Sequence, residues 1–133
     1  MAGYLLDANI VSALMRAPHG RLAERIARAG ETNVFTSVIV AAELRFGALK
    51  RGSSTLTHEV RELLVRLEAK PLEAPADEHY ARLRTDLEGQ GRPIGANDML
   101  IAAHALALEA TLVTDNEREF RRVEGLAVEN WLG

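Results

Sequence analysis

The sequence predicts an α/β protein of three layers, with helices on both faces of a mostly parallel sheet of about five strands. Short apolar or β-branched runs alternate along the chain with longer helical segments, which is the pattern of parallel strands joined by helices. The first run, at residues 4–6, is fully apolar, as strands buried on both faces are. A chain of 133 residues has room for one domain with a sizeable core. We therefore expect a single domain over residues 1–133.

Local patterns place the individual elements. Residues 60, 63, 64 and 67 are apolar at helical spacing, Ser37 is a suitable helix N-cap, and residues 99–108 are rich enough in alanine and leucine to form a buried helix. Two prolines bracket residues 72–74, a candidate edge strand. We predict strands at residues 4–6, 33–36, 72–74, 111–114 and 126–130. We predict helices at residues 10–15, 21–29, 38–50, 56–69, 77–88, 99–108 and 116–123.

Composition excludes several classes of protein. The chain has no cysteine, which rules out disulfides, thiolate catalysis and cysteine zinc sites. It shows no secretory signal and no apolar run long enough for a membrane span, so a cytoplasmic protein without membrane attachment is expected. The formal charge of −3 is a poor match to a protein that holds nucleic acid by bulk electrostatics alone. Any nucleic-acid contact would then depend on local basic patches.

Polar side chains follow two of the predicted strands directly. Asp7 ends the first strand, and Asp115 and Asn116 follow the fourth. Ligands of open α/β sheets bind beyond the carboxyl ends of the strands. An ionised carboxylate there needs hydrogen bonds, a cation or water to offset its desolvation. Asp115 and Asn116 also have a purely structural interpretation, as caps of the next helix with Glu119 as partner.

Two predicted helices carry further acids. Glu43 has Ile39, Val40, Phe46 and Gly47 as its helical neighbours, so a carboxylate interrupts an apolar stripe. A structural ion pair with a nearby arginine, or a stripe that is not fully buried, would explain it equally well.

Asp98 lies where the alanine- and leucine-rich helix begins, and an acid there can serve simply as a helix cap. Asn97 precedes it and can fill the cap, which would leave Asp98 in the first turn.

The sheet would bring these acids from two strand ends and two helices to one place. Clustered carboxylates raise one another's pKa unless a cation neutralises them, and an oxygen-only ligand set favours a hard metal such as Mg²⁺, with Mn²⁺ as a substitute. Metal-assisted hydrolysis of a phosphodiester follows as the expected chemistry.

Four stretches that span nearly the whole chain in order carry a family resemblance. They are residues 5–9 (LLDAN), 42–48 (AELRFGA), 97–105 (NDMLIAAHA) and 112–116 (LVTDN) with Arg118, Glu119 and Phe120. They resemble the PIN-domain ribonucleases, and most closely the VapC toxins of bacterial type II toxin–antitoxin systems.

The resemblance implies a PIN-like fold and a Mg²⁺-dependent endoribonuclease that acts on structured RNA, often tRNA. It also implies inhibition by a VapB-type antitoxin, a homodimer, and an antitoxin complex that binds operator DNA. By motif position Asp7, Glu43 and Asp98 are the acidic metal-site residues, with Asp7 and Asp98 as direct ligands. Glu43 and Asp115 are further candidate ligands, some of them through water.

The fourth acidic position departs from the broad PIN pattern. That pattern places an acid two residues after the threonine that ends the strand, where this chain has Asn116. Asp115 is shifted by one residue, so Asp115, Asn116 or Glu119 could fill the fourth position. We expect one firmly bound ion.

Two other functions share part of this evidence. A phosphoaspartyl enzyme of the haloacid-dehalogenase type would need a second Asp two residues after Asp7, where Asn9 stands. A catalytically silent interaction module could use the same acidic pocket to bind a basic partner.

The remaining polar and aromatic residues have ordinary structural interpretations. The four histidines show no pair at ligand spacing, so surface or packing roles are expected. Ser12 and Thr114 could hydrogen-bond a water or a carboxylate, although local bonding to backbone is the commoner fate of such residues. The aromatic residues are scattered and are expected to pack in the core, including Phe35, Phe46 and Trp131.

Overall fold

The computed structural model of the protein describes residues 3–132, and within them the chain forms five strands and seven α-helices. The strands are β1 Tyr4–Leu6, β2 Val34–Ser37, β3 Ala69–Lys70, β4 Thr111–Val113 and β5 Val128–Glu129. The helices are α1 Ala8–Arg16, α2 Arg21–Ala29, α3 Val38–Arg51, α4 Ser54–Arg66, α5 Ala76–Gly89, α6 Ala96–Ala107 and α7 Glu117–Phe120.

The five strands form one sheet in the order β3-β2-β1-β4-β5, and every pairing is parallel. The three-layer α/β prediction is confirmed. The chain builds the sheet outward from β1 in one direction, to β2 and β3, and then returns to add β4 and β5 on the other side. The reversal leaves a crevice between β1 and β4 at the carboxyl edge, which is where open α/β sheets bind ligands.

The core lies around the two central strands. Leu5, Leu6, Leu112 and Val113 are fully buried, because parallel strands covered by helices on both faces have no solvated side. The helix predicted over residues 99–108 is mostly buried in α6, as expected. Burial on this scale fixes the register of β1 against β4, and with it the residues that follow them.

The predictions for the edge strand and for the end of α4 are wrong. Residues 72–74 form no strand; the edge strand is β3, which pairs with the end of β2. Helix α4 ends at Arg66, and Leu67 is already extended with φ −104° and ψ 109°. The strand therefore begins three residues earlier than predicted, and it ends before Pro71, which has no amide proton to donate to the sheet.

The cap of α6 also differs from the prediction. Gly95 is the N-cap and Asn97 lies inside the first turn, so the side chain of Asn97 is available for another contact. The N-cap predicted for α3 is confirmed, since Ser37 Oγ accepts a hydrogen bond from the Ile39 amide at 3.0 Å. In the part of the chain described, no helix is both long enough and apolar enough to cross a membrane.

Candidate metal centre

Asp7 lies at the centre of the carboxyl edge, directly after β1, with only 5% of its surface exposed. Its Oδ1 accepts a hydrogen bond from the Ala8 amide at 2.8 Å, which makes Asp7 the N-cap of α1. Its Oδ2 accepts one from the Thr114 hydroxyl, also at 2.8 Å. Burial raises the pKa of the Asp7 carboxyl, and these two hydrogen bonds counteract part of the increase. Because a carboxylate oxygen has two lone pairs, Oδ1 and Oδ2 of Asp7 can each bind a further ligand.

Thr114 connects Asp7 to the turn after β4. Its hydroxyl donates to Asp7 and accepts from the Asn116 amide at 3.0 Å. The Asn116 side chain in turn donates from Nδ2 to Glu119 Oε2 at 3.1 Å. Thr114 thus makes both the local backbone bond and the bond to a carboxylate that the sequence left open as alternatives. Thr114 therefore positions both Asp7 and the residue that holds Glu119.

Asp98 occupies the first turn of α6 and is partly buried. Its pKa is raised to about 6, with burial as the largest cause. The carboxylates of Asp7, Glu119 and Glu43 contribute further in that order, and a hydrogen bond with Glu119 also favours the protonated acid. All three carboxylates therefore lie close enough to Asp98 to repel its negative charge.

Glu43 reaches the same region from the middle of α3. Burial raises its pKa, the hydrogen bond from Asn97 lowers it, and the charge of Asp7 raises it. The bond from Asn97 Nδ2 to Glu43 Oε2 is long, at 3.5 Å. Among residues 3–132 no ion pair within 4.0 Å involves Glu43. The predicted apolar stripe is also only partly buried, since Phe46 is 64% exposed.

The three candidates for the fourth position are not equivalent. Asp115 is exposed; its amide faces Asn9 Oδ1 at 3.4 Å, and its charge is the smallest of the influences on the pKa of Asp7. Asn116 has its amide group committed to Glu119. Glu119 is the candidate whose carboxyl reaches another acid of the cluster, Asp98. Of the three candidates, Glu119 is therefore the one whose carboxyl group the structure brings beside Asp98.

This donor set fits a hard divalent cation. Four carboxyl groups from four elements meet at one edge. Burial raises the pKa of Asp98 most, and the charges of the other three carboxylates raise it further; a cation would neutralise that charge. Within residues 3–132 no three acids, histidines or cysteines converge closely enough to hold an ion as a ready-made group. Mg²⁺ commonly takes only one or two carboxylates and keeps several waters. An ion held directly by Asp7 and Asp98 meets that requirement.

Comparison with known proteins agrees with this geometry. The PIN domain family model matches residues 4–126. Ribonuclease VapC2 of Rickettsia felis is 40% identical over 130 residues, which cover 96% of this chain and 97% of the relative. The chain is a PIN domain of the VapC family.

Two further relatives support this assignment of the PIN domain. The tRNA(fMet)-specific endonuclease VapC of Shigella flexneri is 33% identical to it, with 98% of this chain and 99% of the relative covered. In the crystal structure of VapBC2 from Rickettsia felis bound to a promoter DNA fragment, one chain matches with a TM-score of 0.90 and 37% identity, covering 98% of this chain and 99% of that one. The resemblance inferred from the four motifs is confirmed.

Sequence reasoning did not predict the partners of two residues that position the acids of this PIN domain. Asn97 was assigned to a cap and instead contacts Glu43 across 54 residues of sequence. Thr114 contacts Asp7 across 107 residues. The only signal in the sequence was that each directly adjoins a candidate acid, since a contact between distant elements has no local pattern.

Replacing Thr114 with valine is expected to lower the free energy of unfolding of this PIN domain by roughly 1–3 kcal/mol, the typical cost of leaving a buried polar group without its partner. Valine fills the same volume but donates nothing to Asp7 Oδ2, and Thr114 is fully buried. Urea denaturation at pH 7 measures the change. Thr111→Val, at the half-buried start of β4, is the matched control; equal effects in both variants would contradict the role given to Thr114.

Proposed function

We propose that this PIN domain is a Mg²⁺-dependent endoribonuclease toxin that hydrolyses phosphodiester bonds of structured RNA, with tRNA as the substrate class to test first. The observation that supports this most strongly is the meeting of Asp7, Glu43, Asp98 and Glu119 at one edge of the sheet. The similarity to a ribonuclease and to a tRNA(fMet)-specific endonuclease supports this substrate class.

The four acids would divide the work of holding the ion. Asp7 and Asp98 would be its direct ligands, and Glu43 and Glu119 would act on it through water. Bound Mg²⁺ supplies the positive charge that polarises the phosphate, acidifies a water nucleophile and stabilises the leaving oxygen. Thr114 and Ala8 hold Asp7 in one orientation, and Asn97 and Asn116 restrain Glu43 and Glu119. The nucleophile is water, so no side chain forms a covalent intermediate.

A VapB-type antitoxin is the proposed inhibitor. A cleft of about 540 Å³ between α1, α3 and α4 includes Glu43 in its lining, together with apolar side chains such as Met15 and Leu44 and the cations Arg16 and Arg51. Its apolar lining suits one face of a partner segment. A basic side chain of that segment beside Glu43 would take the place of the metal's charge. The VapBC2 complex of Rickettsia felis supports a partner of this kind.

A homodimer and an operator-DNA-binding complex with the antitoxin remain further proposals. Val38, Phe46 and Leu49 of α3 are 42%, 64% and 70% exposed. Exposed apolar side chains on one helix are typical of association surfaces, which supports self-association. The matching Rickettsia felis complex is bound to a fragment of promoter DNA.

The decisive experiment is to incubate purified, antitoxin-free protein with total RNA in Mg²⁺ and in EDTA, beside an Asp7→Asn variant. We expect discrete cleavage products only for the wild type in Mg²⁺, with Mn²⁺ able to substitute. Asparagine keeps an oxygen for the Ala8 amide, so this variant tests the charge of Asp7 and preserves the cap of α1. Sequencing the product ends identifies the RNA and the bond that is cut.

Two outcomes would count against the metal-nuclease function. Cleavage that persists in EDTA would exclude the role of the ion, and cleavage that survives Asp7→Asn would exclude the role of the carboxylate. If no RNA is cut, the silent interaction module becomes the better account of the acidic pocket.

A further inference from the structure

Two helices bring acids to the proposed centre, and they cross-link to each other at two points. Near the start of α6, Asn97 Nδ2 contacts Glu43 Oε2 of α3 at 3.5 Å. Near the end of α6, His104 Nδ1 lies 2.8 Å from Ser37 Oγ, at the N-cap of α3. The two helices therefore run antiparallel, with one bridge at the acids and one remote from them.

The spacing along both helices matches. Ser37 precedes Glu43 by six residues, and Asn97 precedes His104 by seven. At about 1.5 Å of rise per residue, the bridges lie roughly 9 Å apart along α3 and roughly 10.5 Å apart along α6. A shift of α3 along α6 would have to break the Ser37–His104 bond, and it would move Glu43 past Asp98 by the same distance.

The remote bridge joins two side chains that can share one hydrogen. Ser37 Oγ accepts a hydrogen bond from the Ile39 amide at 3.0 Å, and its own proton can be donated to Nδ1 when the neutral imidazole carries its hydrogen on Nε2. Both side chains are buried, with His104 1% and Ser37 0% exposed. Burial lowers the pKa of His104, which keeps the ring neutral at pH 7. A hydrogen bond shielded from water in this way has no solvent competitor.

We propose that His104 is a positioning residue for the proposed nuclease: its bond to Ser37 sets the register of α3 on α6 and thereby the position of Glu43 relative to Asp98. The proposal rests on the proposed function only for its effect on catalysis, because the register itself is a property of the metal-free protein. A misplacement of about 1 Å in a catalytic constellation can reduce a rate about a hundredfold, so a small change of register is sufficient.

Four variants test the bridge. His104→Leu removes the hydrogen bond and keeps an apolar group in the core. His104→Asn places an amide oxygen where Nδ1 was and can still accept from Ser37. Ser37→Ala removes the same bond, together with the N-cap bond to the Ile39 amide, and changes the volume of the core little, so the test holds even if His104→Leu does not fold. Ser53→Ala is the matched control, since Ser53 caps α4 through an equivalent bond to the Leu56 amide at 3.0 Å.

Three measurements separate positioning from stability. The side-chain amide resonances of Asn97 in the metal-free protein report the contact with Glu43. Electron paramagnetic resonance of Mn²⁺ gives the affinity for a divalent ion. Steady-state cleavage of RNA at saturating Mg²⁺ gives kcat and KM separately. All are made well below the melting temperature of each variant.

We expect His104→Leu and Ser37→Ala to move the Asn97 resonances, weaken Mn²⁺ binding and lower kcat by about tenfold or more with little change in KM, in line with losses typical of groups that support a metal site. His104→Asn should restore most of each property, and Ser53→Ala should change none of the three. Unchanged Asn97 resonances in both bridge variants would overturn the proposal. If the wild type neither binds Mn²⁺ nor cleaves RNA, the proposed function fails, and the Asn97 resonances still decide the register.

Discussion

Replacing Asp98 with asparagine is expected to abolish RNA cleavage while making the metal-free protein more stable at pH 7. Outer groups of metal sites typically contribute 10- to 100-fold, so we expect a direct ligand to contribute at least about a hundredfold. The stability gain follows from the raised pKa of Asp98, about 6 against the ordinary 3.8. Asparagine removes the repelled charge and keeps the shape of the side chain.

The sign of the pH dependence follows from proton linkage. The folded protein binds a proton at Asp98 more tightly than the unfolded chain does, so the free energy of unfolding falls as pH rises from about 4 through 6. By pH 7 the charged carboxylate costs the fold roughly 1–2 kcal/mol, after allowance for partial solvent screening. Saturating Mg²⁺ should recover this loss in the wild type and have little effect on Asp98→Asn.

Urea denaturation of the metal-free protein between pH 4 and pH 8, beside the RNA assay, measures both effects. Asp77→Asn is the matched control because Asp77 also lies in the first turn of a helix, α5, and is exposed. It should lose a few tenths of a kcal/mol, about the contribution of the helix dipole, and no activity. A loss of stability in Asp98→Asn like that of the control would contradict the repulsion at Asp98.

The second large effect distinguishes Glu119 from Asp115. Glu119→Gln is expected to slow RNA cleavage by about tenfold or more, as for other groups at the edge of a metal site, because its carboxyl adjoins Asp98. Asp115→Asn should leave the rate within about twofold, since charges at an exposed position are largely screened. Each substitution removes one negative charge, so the pair controls for net charge. The cleavage rates of the two variants at saturating Mg²⁺ distinguish the residues. A larger loss of rate for Asp115→Asn would indicate that Asp115 is the fourth acid of the centre.

The strands and helices were predictable where one local signal decided them. β1 was predicted to the residue because its apolar run ends in an acid, and α3 and α6 were visible from a cap and from composition. β3 was misplaced because two prolines suggested an edge strand, while the actual strand depends on where α4 stops and on pairing with β2. Two residues of strand carry no pattern of their own, so only the completed sheet identifies them.

The candidate site was predictable as a set of acids and unpredictable as an arrangement. Asp7, Glu43 and Asp98 could be identified because a carboxylate at a strand end or among apolar neighbours demands a reason. The choice of Glu119 could not be made from the sequence, because it depends on the amide of Asn116 and the proximity of Asp98. Those contacts exist only once α6 and α7 pack beside β4.

Asp7 has both a structural role and a proposed catalytic role, and this has an evolutionary consequence. This carboxylate caps α1 and accepts the Thr114 hydroxyl, so most substitutions there would damage the fold together with the proposed catalysis. Asp98 differs from Asp7, because its negative charge destabilises the folded protein. Descendants of this protein that lose nuclease activity but keep binding partners are therefore expected to arise by substitution of Asp98 first, with Asp7 retained as a structural residue. Among such homologues, an intact first motif would then be a poor guide to activity.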